Sequence, residues 1–285
     1  MSVITFVIPT VGASKNVSRC VDSIAGQLSG EDEIIIVHQG EDNPVRFAPV
    51  ARLFHVSEYG LSNARNEGAR LAGNGIIAFI DDDVMLDKNY AASIRKHFSR
   101  DISALCGRLL NTDDHSPYAR VHDDKLIAIT YSPARLKRCL GGNMVFRKEA
   151  FLDVGGYDRS FGVGAKYGGA EDIDIILRLL HRKKHRVIYA PDAIGYHARE
   201  NRHKNSNYIE KVFNYGMGEG AVYAKHFMEK KLLVLLAIYG VEIAKPFIKL
   251  LSSTLAFDVY GVKVYSGILK GRLKGFFDYA NEKKI

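Results

Sequence analysis

Residues 75–86 read GIIAFIDDDVML: five consecutive apolar side chains, Ile76 to Ile80, and then three carboxylates. A run that short and that apolar is a strand covered on both faces, as in parallel sheets packed under helices. Its pleat is expected to send Asp81 and Asp83 to one side and Asp82 to the other. In open α/β sheets ligands bind at the carboxyl ends of strands. Like charges gathered there are costly unless a cation neutralises them, and oxygen ligands suit Mg²⁺ or Mn²⁺, which also hold phosphate oxygens. The triplet therefore implies a divalent cation with a diphosphate. Its plainer reading is a solvated acidic turn before a helix, where Asp also serves as a cap.

Outward from this strand, short apolar runs alternate with helical periodicity. Ile4–Ile8 reads as a strand, Ser14 opens a helix that runs to Leu28, and Glu33–Val37 is a second strand. Leu61–Ala72 reads as a helix, and Asp87 caps another through Phe98. From Asn111 to Arg138 the pattern weakens into a surface excursion over a site, before Asn143–Arg147 and the VIYAPDAIGY run at 187–196 restore strands. The rhythm predicts an α/β fold, a mostly parallel central sheet flanked by helices, over residues 1–225. Near Tyr223 it gives way to a helical, basic, amphipathic tail, residues 226–285.

Composition narrows the class. The chain has 285 residues, 47% of them apolar, enough for a sizeable core and too many for general disorder. The formal charge is +8, of which +6 falls on residues 230–285, with 10 basic and 4 acidic side chains. Cys20, Cys106 and Cys139 are odd in number and widely spaced, against a disulfide framework or zinc cage and for a reducing, cytoplasmic location. Cys20 falls on the apolar face of its helix and reads as core. The N-terminus lacks a basic region and long apolar core before a cleavage site, and no stretch reaches the roughly 20 apolar residues that span a bilayer. No nucleic-acid-binding motif is present.

Downstream, GGAEDIDIILRLL (168–180) passes from glycines into a helix with Glu171 and Asp172 at its start, where carboxylates are also favoured by the helix dipole alone. Asp174 and Arg178, four apart, are expected to pair structurally. His181 and His185, in the basic HRKKHR run, read as a solvated face.

Taken together, VIPTVGA (7–13), GLSNARNEG (60–68), FIDDDV (79–84), GGNMVFRKEAF (141–151) and GGAEDIDIILRL (168–179) resemble, in order and spacing, the family 2 glycosyltransferases of the GT-A fold. The resemblance covers roughly residues 3–200. It implies inverting transfer of a sugar from a nucleotide-diphosphate donor, UDP favoured, to a hydroxyl of a glycan or lipid-linked saccharide. By position, it implies that Pro9, Thr10, Gln39, Arg65, Asp81 and Asp82 bind the donor nucleotide. Asp83 and Asp81, with His197 as a further ligand, are implied to hold Mn²⁺ or Mg²⁺; the competing reading of His197 is a surface or acceptor-site histidine. Gly142, Asn143 and Glu171 are implied to meet the donor sugar or acceptor, and Asp172 to be the general base. For Arg65 the competing reading is a surface ion pair with Glu67. Gly60 and Gly68 would permit turning and close backbone approach.

The chain departs from the family after its second strand, where Val37-His38-Gln39-Gly40-Glu41 replaces an acidic pair and Ser that contact the base. His38 or Gln39 can still hydrogen-bond a uracil edge, so UDP stays favoured, with TDP or GDP open. The segment FNYGMGEGAVYAKH (213–226), which combines glycines with Tyr215 and Tyr223, resembles the family's post-catalytic helix, implied to shape the acceptor side; the competing reading is that its glycines only allow close helix packing. Two other classes compete: a sugar-nucleotide binding module without catalysis, and a haloacid-dehalogenase-like phosphatase with Asp81 as nucleophile and Asp83 as acid/base. The latter normally carries its motif on the first strand, whereas two βα units precede it here.

From Leu232 to Phe257 polar positions Glu242, Lys245, Lys249 and Ser252 recur at three and four residues in an otherwise apolar run. That pattern suits a helix lying on a membrane surface, with Lys270, Arg272 and Lys274 adding attraction to anionic lipid. Pro246 predicts a kink or a break. The alternative is packing on the catalytic domain or on a twin subunit in a homo-oligomer.

Overall fold

The computed structural model describes residues 2–11, 15–40, 50–98, 101–118, 121, 123–198, 207–230 and 232–283. Ser14 and Glu41 lie outside them. Strand β1 (Ile4–Val11), helix α1 (Lys15–Ala25), β2 (Glu33–Gln39), β3 (Ala51–Val56), α2 (Leu61–Leu71) and β4 (Ile76–Ile80) form the first half. Then follow β5 (Val84–Leu86), α3 (Tyr90–Phe98), β6 (Ala104–Asn111), β7 (Ile127–Ala128), α4 (Pro133–Leu136), β8 (Asn143–Arg147) and α5 (Lys148–Asp153). Helix α6 (Glu171–His181), β9 (Val187–His197), α7 (Tyr208–Lys230), α8 (Leu233–Leu255) and α9 (Val259–Glu282) complete the chain.

One sheet runs β3-β2-β1-β4-β8-β6-β9-β5, with β7 paired to β9. The expected parallel character holds for β3-β2-β1-β4 and for β6-β9, while β8 enters antiparallel between β4 and β6. It does so because the chain reaches β8 from the excursion over the carboxyl ends of the parallel strands and must run back. The sheet is therefore mixed. One core packs α1 and α3 on one face, with Cys20 fully buried among them; the other packs α2, α5, α6 and α7 on the opposite face. At Gly68 a Cβ would come 2.2 Å from Val7 Cγ1, so α2 lies directly on β1.

The solvated face expected of His181 and His185 is not what forms. His185 Nε2 lies 2.9 Å from Asp153, and its Nδ1 lies 3.0 Å from Ser103. His181 bridges Tyr131 and His226, each at 2.7 Å, and His226 Nε2 donates to the fully buried Asp174 at 2.9 Å. Asp174 also takes the expected Arg178 and, in addition, Lys225 Nζ at 2.8 Å. Burial would raise this carboxyl, but the His226 hydrogen bond and the Arg178 and Lys225 charges outweigh it and hold it ionised.

Helix α7 runs unbroken through residue 225. It and α9 interlock through glycines: a Cβ on Gly220 would come 2.0 Å from Arg272 O, one on Gly271 2.2 Å from Phe213 O, and one on Gly275 2.0 Å from Met217 O. Pro246 does not divide α8; the break comes after Leu255. Proline lacks the N–H that would bond to the carbonyl four residues back, and here that Glu242 carbonyl accepts from Arg272 Nη1 instead. Arg272, expected to face lipid, is buried and pairs with Glu219 and Glu242. No helix among the described residues is long and apolar enough to cross a membrane.

Replacing Gly275 with Ala forces α7 and α9 apart and should cost roughly 1–3 kcal/mol of unfolding free energy in urea. Gly240→Ala, where nothing lies within 4 Å of the new methyl, should gain about 0.5–1 kcal/mol. Equal effects of the two substitutions would refute the interlock.

Candidate active site

The carboxyl ends of β1, β2, β4 and β9 open into a cleft of about 900 Å³, closed on its other side by residues 139–142, the start of α6 and one face of α7. The acidic triplet lies at its centre. Because β4 ends at Ile80 and Val84 N–H bonds back to Asp81 O at 3.0 Å, residues 81–83 form a turn. Strand alternation stops there, so all three carboxylates line the cleft instead of dividing between two faces. Thr10 Oγ1 donates to Asp82 Oδ2 at 2.5 Å. Asp83 Oδ2 lies 3.3 Å from His197 Nε2. Burial pushes the carboxyls of both Asp82 and Asp83 up; the Thr10 hydrogen bond and the His197 charge respectively counteract it, and neighbouring aspartates add to it.

The His197 geometry tests whether this site suits a cation. Its Nδ1 lies 2.7 Å from the Ala198 carbonyl, which can only accept, so Nδ1 carries the proton. With the ring neutral, Nε2 would present a lone pair to the Asp83 carboxylate, an opposition that either a second ring proton, which makes the pair ionic, or a shared cation relieves. Carboxylate with imidazole suits Mn²⁺ or Mg²⁺ with further oxygens from phosphate. No group of three or more His, Cys, Asp or Glu side chains poised for a metal occurs among the described residues. The Tyr118 ring packs 4.5 Å from the imidazole.

Arg65 is fully buried under the cleft floor. Its Nη2 donates to Asp81 Oδ1 at 2.7 Å and to Gly141 O at 3.0 Å, its Nη1 donates to Glu171 Oε1 at 2.8 Å, and its guanidinium lies over the Tyr157 ring. It is not paired with Glu67, which meets Arg70 and Arg159. Asp172 faces the cleft, its Oδ2 accepting from Gly141 N–H at 3.1 Å and its Oδ1 from Ile173 N–H at 2.7 Å. A Cβ on Gly142 would meet Asp81 Oδ2 at 2.8 Å, so the glycine lets this wall lie against the Asp81 carboxylate.

Pro9, Thr10, Gln39, Arg65, Asp81, Asp82, Asp83, Gly142, Glu171, Asp172 and His197 are thus brought to one cleft. Asn143 is not. It is fully buried behind the floor, donating to Arg108 O and Ala193 O at 3.1 Å and accepting from Tyr90 at 2.6 Å, in space that Gly107 leaves by having no Cβ. All of its hydrogen-bonding groups are engaged, so its expected contact with sugar is corrected to a structural role. His38 is also buried, against His55, outside the cleft lining. Gln39 remains at the base end: its Oε1 accepts from Gly60 N–H at 2.8 Å, which fixes the amide so that Nε2 is the group left to donate. The lining also includes Tyr59, Lys211, Tyr215 and Glu219, of which the sequence singled out only Tyr215, in the glycine-bearing helix expected on the acceptor side. The last three recur every four residues on α7, a signal that helical periodicity carries.

The sequence matches the family model described as Glycosyl transferase family 2 over residues 5–155, and a second, described as N-terminal domain of galactosyltransferase, over 127–204. A pre-mycofactocin glycosyltransferase of Mycobacterium tuberculosis is 25% identical over 239 residues, covering 78% of this chain and 48% of that protein. A glucosyl-dolichyl phosphate glucuronosyltransferase of Haloferax volcanii is 24% identical over 196 residues, 62% of each chain. The chain thus spans about half to three-fifths of the length of these relatives. In fold it is similar to the mannosyltransferase PcManGT from Pyrobaculum calidifontis, solved with GDP-Man and Mn²⁺, with a TM-score of 0.60 at 15% identity over 96% of this chain and 87% of that one. It also resembles TarS of S. aureus, with a TM-score of 0.52 over 79% of this chain and 43% of that one. With its acidic turn, its Glu171-Asp172 pair and more than half its length under one family model, the chain belongs to glycosyl transferase family 2.

Proposed function

We propose that the chain is an inverting, divalent-cation-dependent glycosyltransferase, moving a sugar from a nucleoside diphosphate to a hydroxyl of a glycan or lipid-linked saccharide. The observation that carries the reading is the Asp172 carboxylate in the same cleft as the Asp81–Asp83 turn, tied to its far wall by Gly141. Asp172 takes the proton of the acceptor hydroxyl as that oxygen attacks the anomeric carbon and the nucleoside diphosphate departs. Asp83 and His197, with Asp81 alongside, would hold the cation, whose chemistry is to neutralise charge building on the departing diphosphate. At the base end the Gln39 amide donates, which suits a ring carbonyl and favours UDP. Guanine also carries one, and the structural neighbour from Pyrobaculum calidifontis holds GDP-Man with Mn²⁺. The phosphatase reading is disfavoured because three strands precede β4, the strand that carries the acidic turn.

Helix α8 supports a peripheral membrane location. Leu233, Val241, Ile248, Leu251 and Leu255 recur along its outer side, and Phe257 beyond it is 91% exposed. With Arg272 buried and Lys245 and Lys274 paired to Glu242 and Asp278, Lys249, Lys263 and Lys270 carry the attraction to anionic lipid, each about 1 kcal/mol.

Asp172→Asn should lower transfer by about 10²–10⁴-fold with nucleotide affinity retained. Burial, then the Glu171 charge, pushes the Asp172 carboxyl up to about 7. A base must be ionised, so the transfer rate should fall as pH drops through about 7 and level off above it. Full activity in the Asn variant would remove Asp172 from the mechanism, and nucleotide affinity indifferent to chelator or to Asp83→Ala would remove the cation. For the tail, Ile248→Asp with Leu255→Asp should abolish flotation with phosphatidylserine vesicles. Unchanged flotation would sink lipid docking.

A further inference from the structure

Helix α7 presents Lys211, Tyr215 and Glu219 to the cleft at four-residue intervals, spanning about 12 Å along one face. Neither the donor nor the base requires the last two. Their placement is rigid. A Cβ on Gly218 would lie 2.2 Å from Gly169 O, and one on Gly169 would lie 3.1 Å from Tyr215 Cδ1, so α7 is pressed onto the segment that leads directly into Glu171 and Asp172. Tyr215 and Glu219 therefore line the same cleft as the base, on the helix packed against the segment that carries it.

The stripe is polarised. At its first end the Lys211 charge favours the ionised form of Asp83, and its ammonium lies 5.4 Å from the Tyr215 ring centroid. At its other end the Glu219 carboxylate is held from behind: Oε2 takes Arg272, while Oε1 has no partner among the described residues and the side chain keeps 39% of its surface exposed. An aromatic ring 41% exposed, next to a carboxylate with one oxygen presented, matches a pyranose, whose C–H face packs on an aromatic and whose hydroxyls donate to a carboxylate. It does not match a phosphate at the Glu219 end, which would meet Glu219 and Asp172 as like charges, Lys211 lying at the opposite end of the stripe.

We propose that Tyr215 and Glu219 form the acceptor subsite, that it takes an uncharged sugar ring, and that the enzyme transfers onto a saccharide hydroxyl instead of onto a lipid phosphate oxygen. This rests on the glycosyltransferase reading. In the reaction the acceptor O–H bond breaks, its proton goes to Asp172, the oxygen bonds the anomeric carbon, and the nucleoside diphosphate leaves with the electron pair of the broken bond. The cleft volume of about 900 Å³ has room for a sugar ring beside a nucleotide sugar.

The test uses the full chain with Mn²⁺ and UDP, and ligand-observed NMR with methyl glucoside, galactoside and mannoside, and with farnesyl phosphate. At least one methyl glycoside should bind, about tenfold or more weakly to Glu219→Gln and Tyr215→Ala, with UDP affinity unchanged and farnesyl phosphate failing to displace it. Tyr215→Ala alters an exposed side chain, so it reports even where Glu219→Gln loosens the Arg272 contact. Nucleotide binding without any glycoside binding, equal binding by the variants, or displacement by farnesyl phosphate overturns the subsite alone. Glycoside binding without affinity for UDP, GDP or TDP would sink the donor reading and keep the subsite.

Discussion

Arg65 bridges Asp81, at the end of β4, to Glu171, at the start of α6, with no exposure of its own. The cleft above it also contains Asp82, Asp83, Asp172 and Glu219. Carboxylates crowded into a partly dehydrated wall repel one another, and leaving even one buried charge without its partner costs about 3–5 kcal/mol. One guanidinium, supplied from beneath, compensates a charge from each of the two acidic motifs and so allows them to share a cleft. Its reach depends on α2 lying against β1 at Gly68, and Tyr157 closes the space around it. Where Arg65 does not reach, at Asp82 and Asp83, the carboxyls are pushed up by burial. Burial does the same to Asp172 on the opposite wall, so both acidic motifs keep a carboxyl whose charge is costly.

The same accounting explains what the sequence made legible. Strands β1, β2, β4, β8 and β9 announce themselves as apolar runs, and the acidic turn and the Glu171-Asp172 pair are local signals at fixed places in that pattern. The Arg65–Glu171 contact spans 106 residues, and no periodicity carries it. Residue type alone also misassigns polar groups near a motif. Asn143 sits directly after the glycines of the cleft wall, yet it turns into the sheet because Gly107, on the neighbouring β6, leaves space that three hydrogen-bond partners complete. His181 and His185 stand in a run of lysines and arginines and are nonetheless consumed by Asp153 and by the buried Asp174 network. Composition of a segment predicts its average exposure and not that of a given side chain.

For the tail, periodicity revealed a helix with an apolar stripe but could not say which helix packs. The answer lies in glycines that are unremarkable in sequence. Gly216, Gly220, Gly271 and Gly275 let α7 and α9 approach until backbone meets backbone, which fixes α9 to the catalytic domain and leaves α8 with one face inward and one outward. Its inward face is held by an indirect device: Pro246 frees the Glu242 carbonyl, and Arg272 fills it while binding Glu219 on the cleft wall. Side chains and backbone groups in contact at this density have no slack to absorb a displacement. Docking through the outer face of α8 would accordingly set where the cleft opens relative to a surface, with no change of conformation needed to connect the two. A saccharide carried on a lipid would then meet Asp172 and Glu219 from a fixed direction.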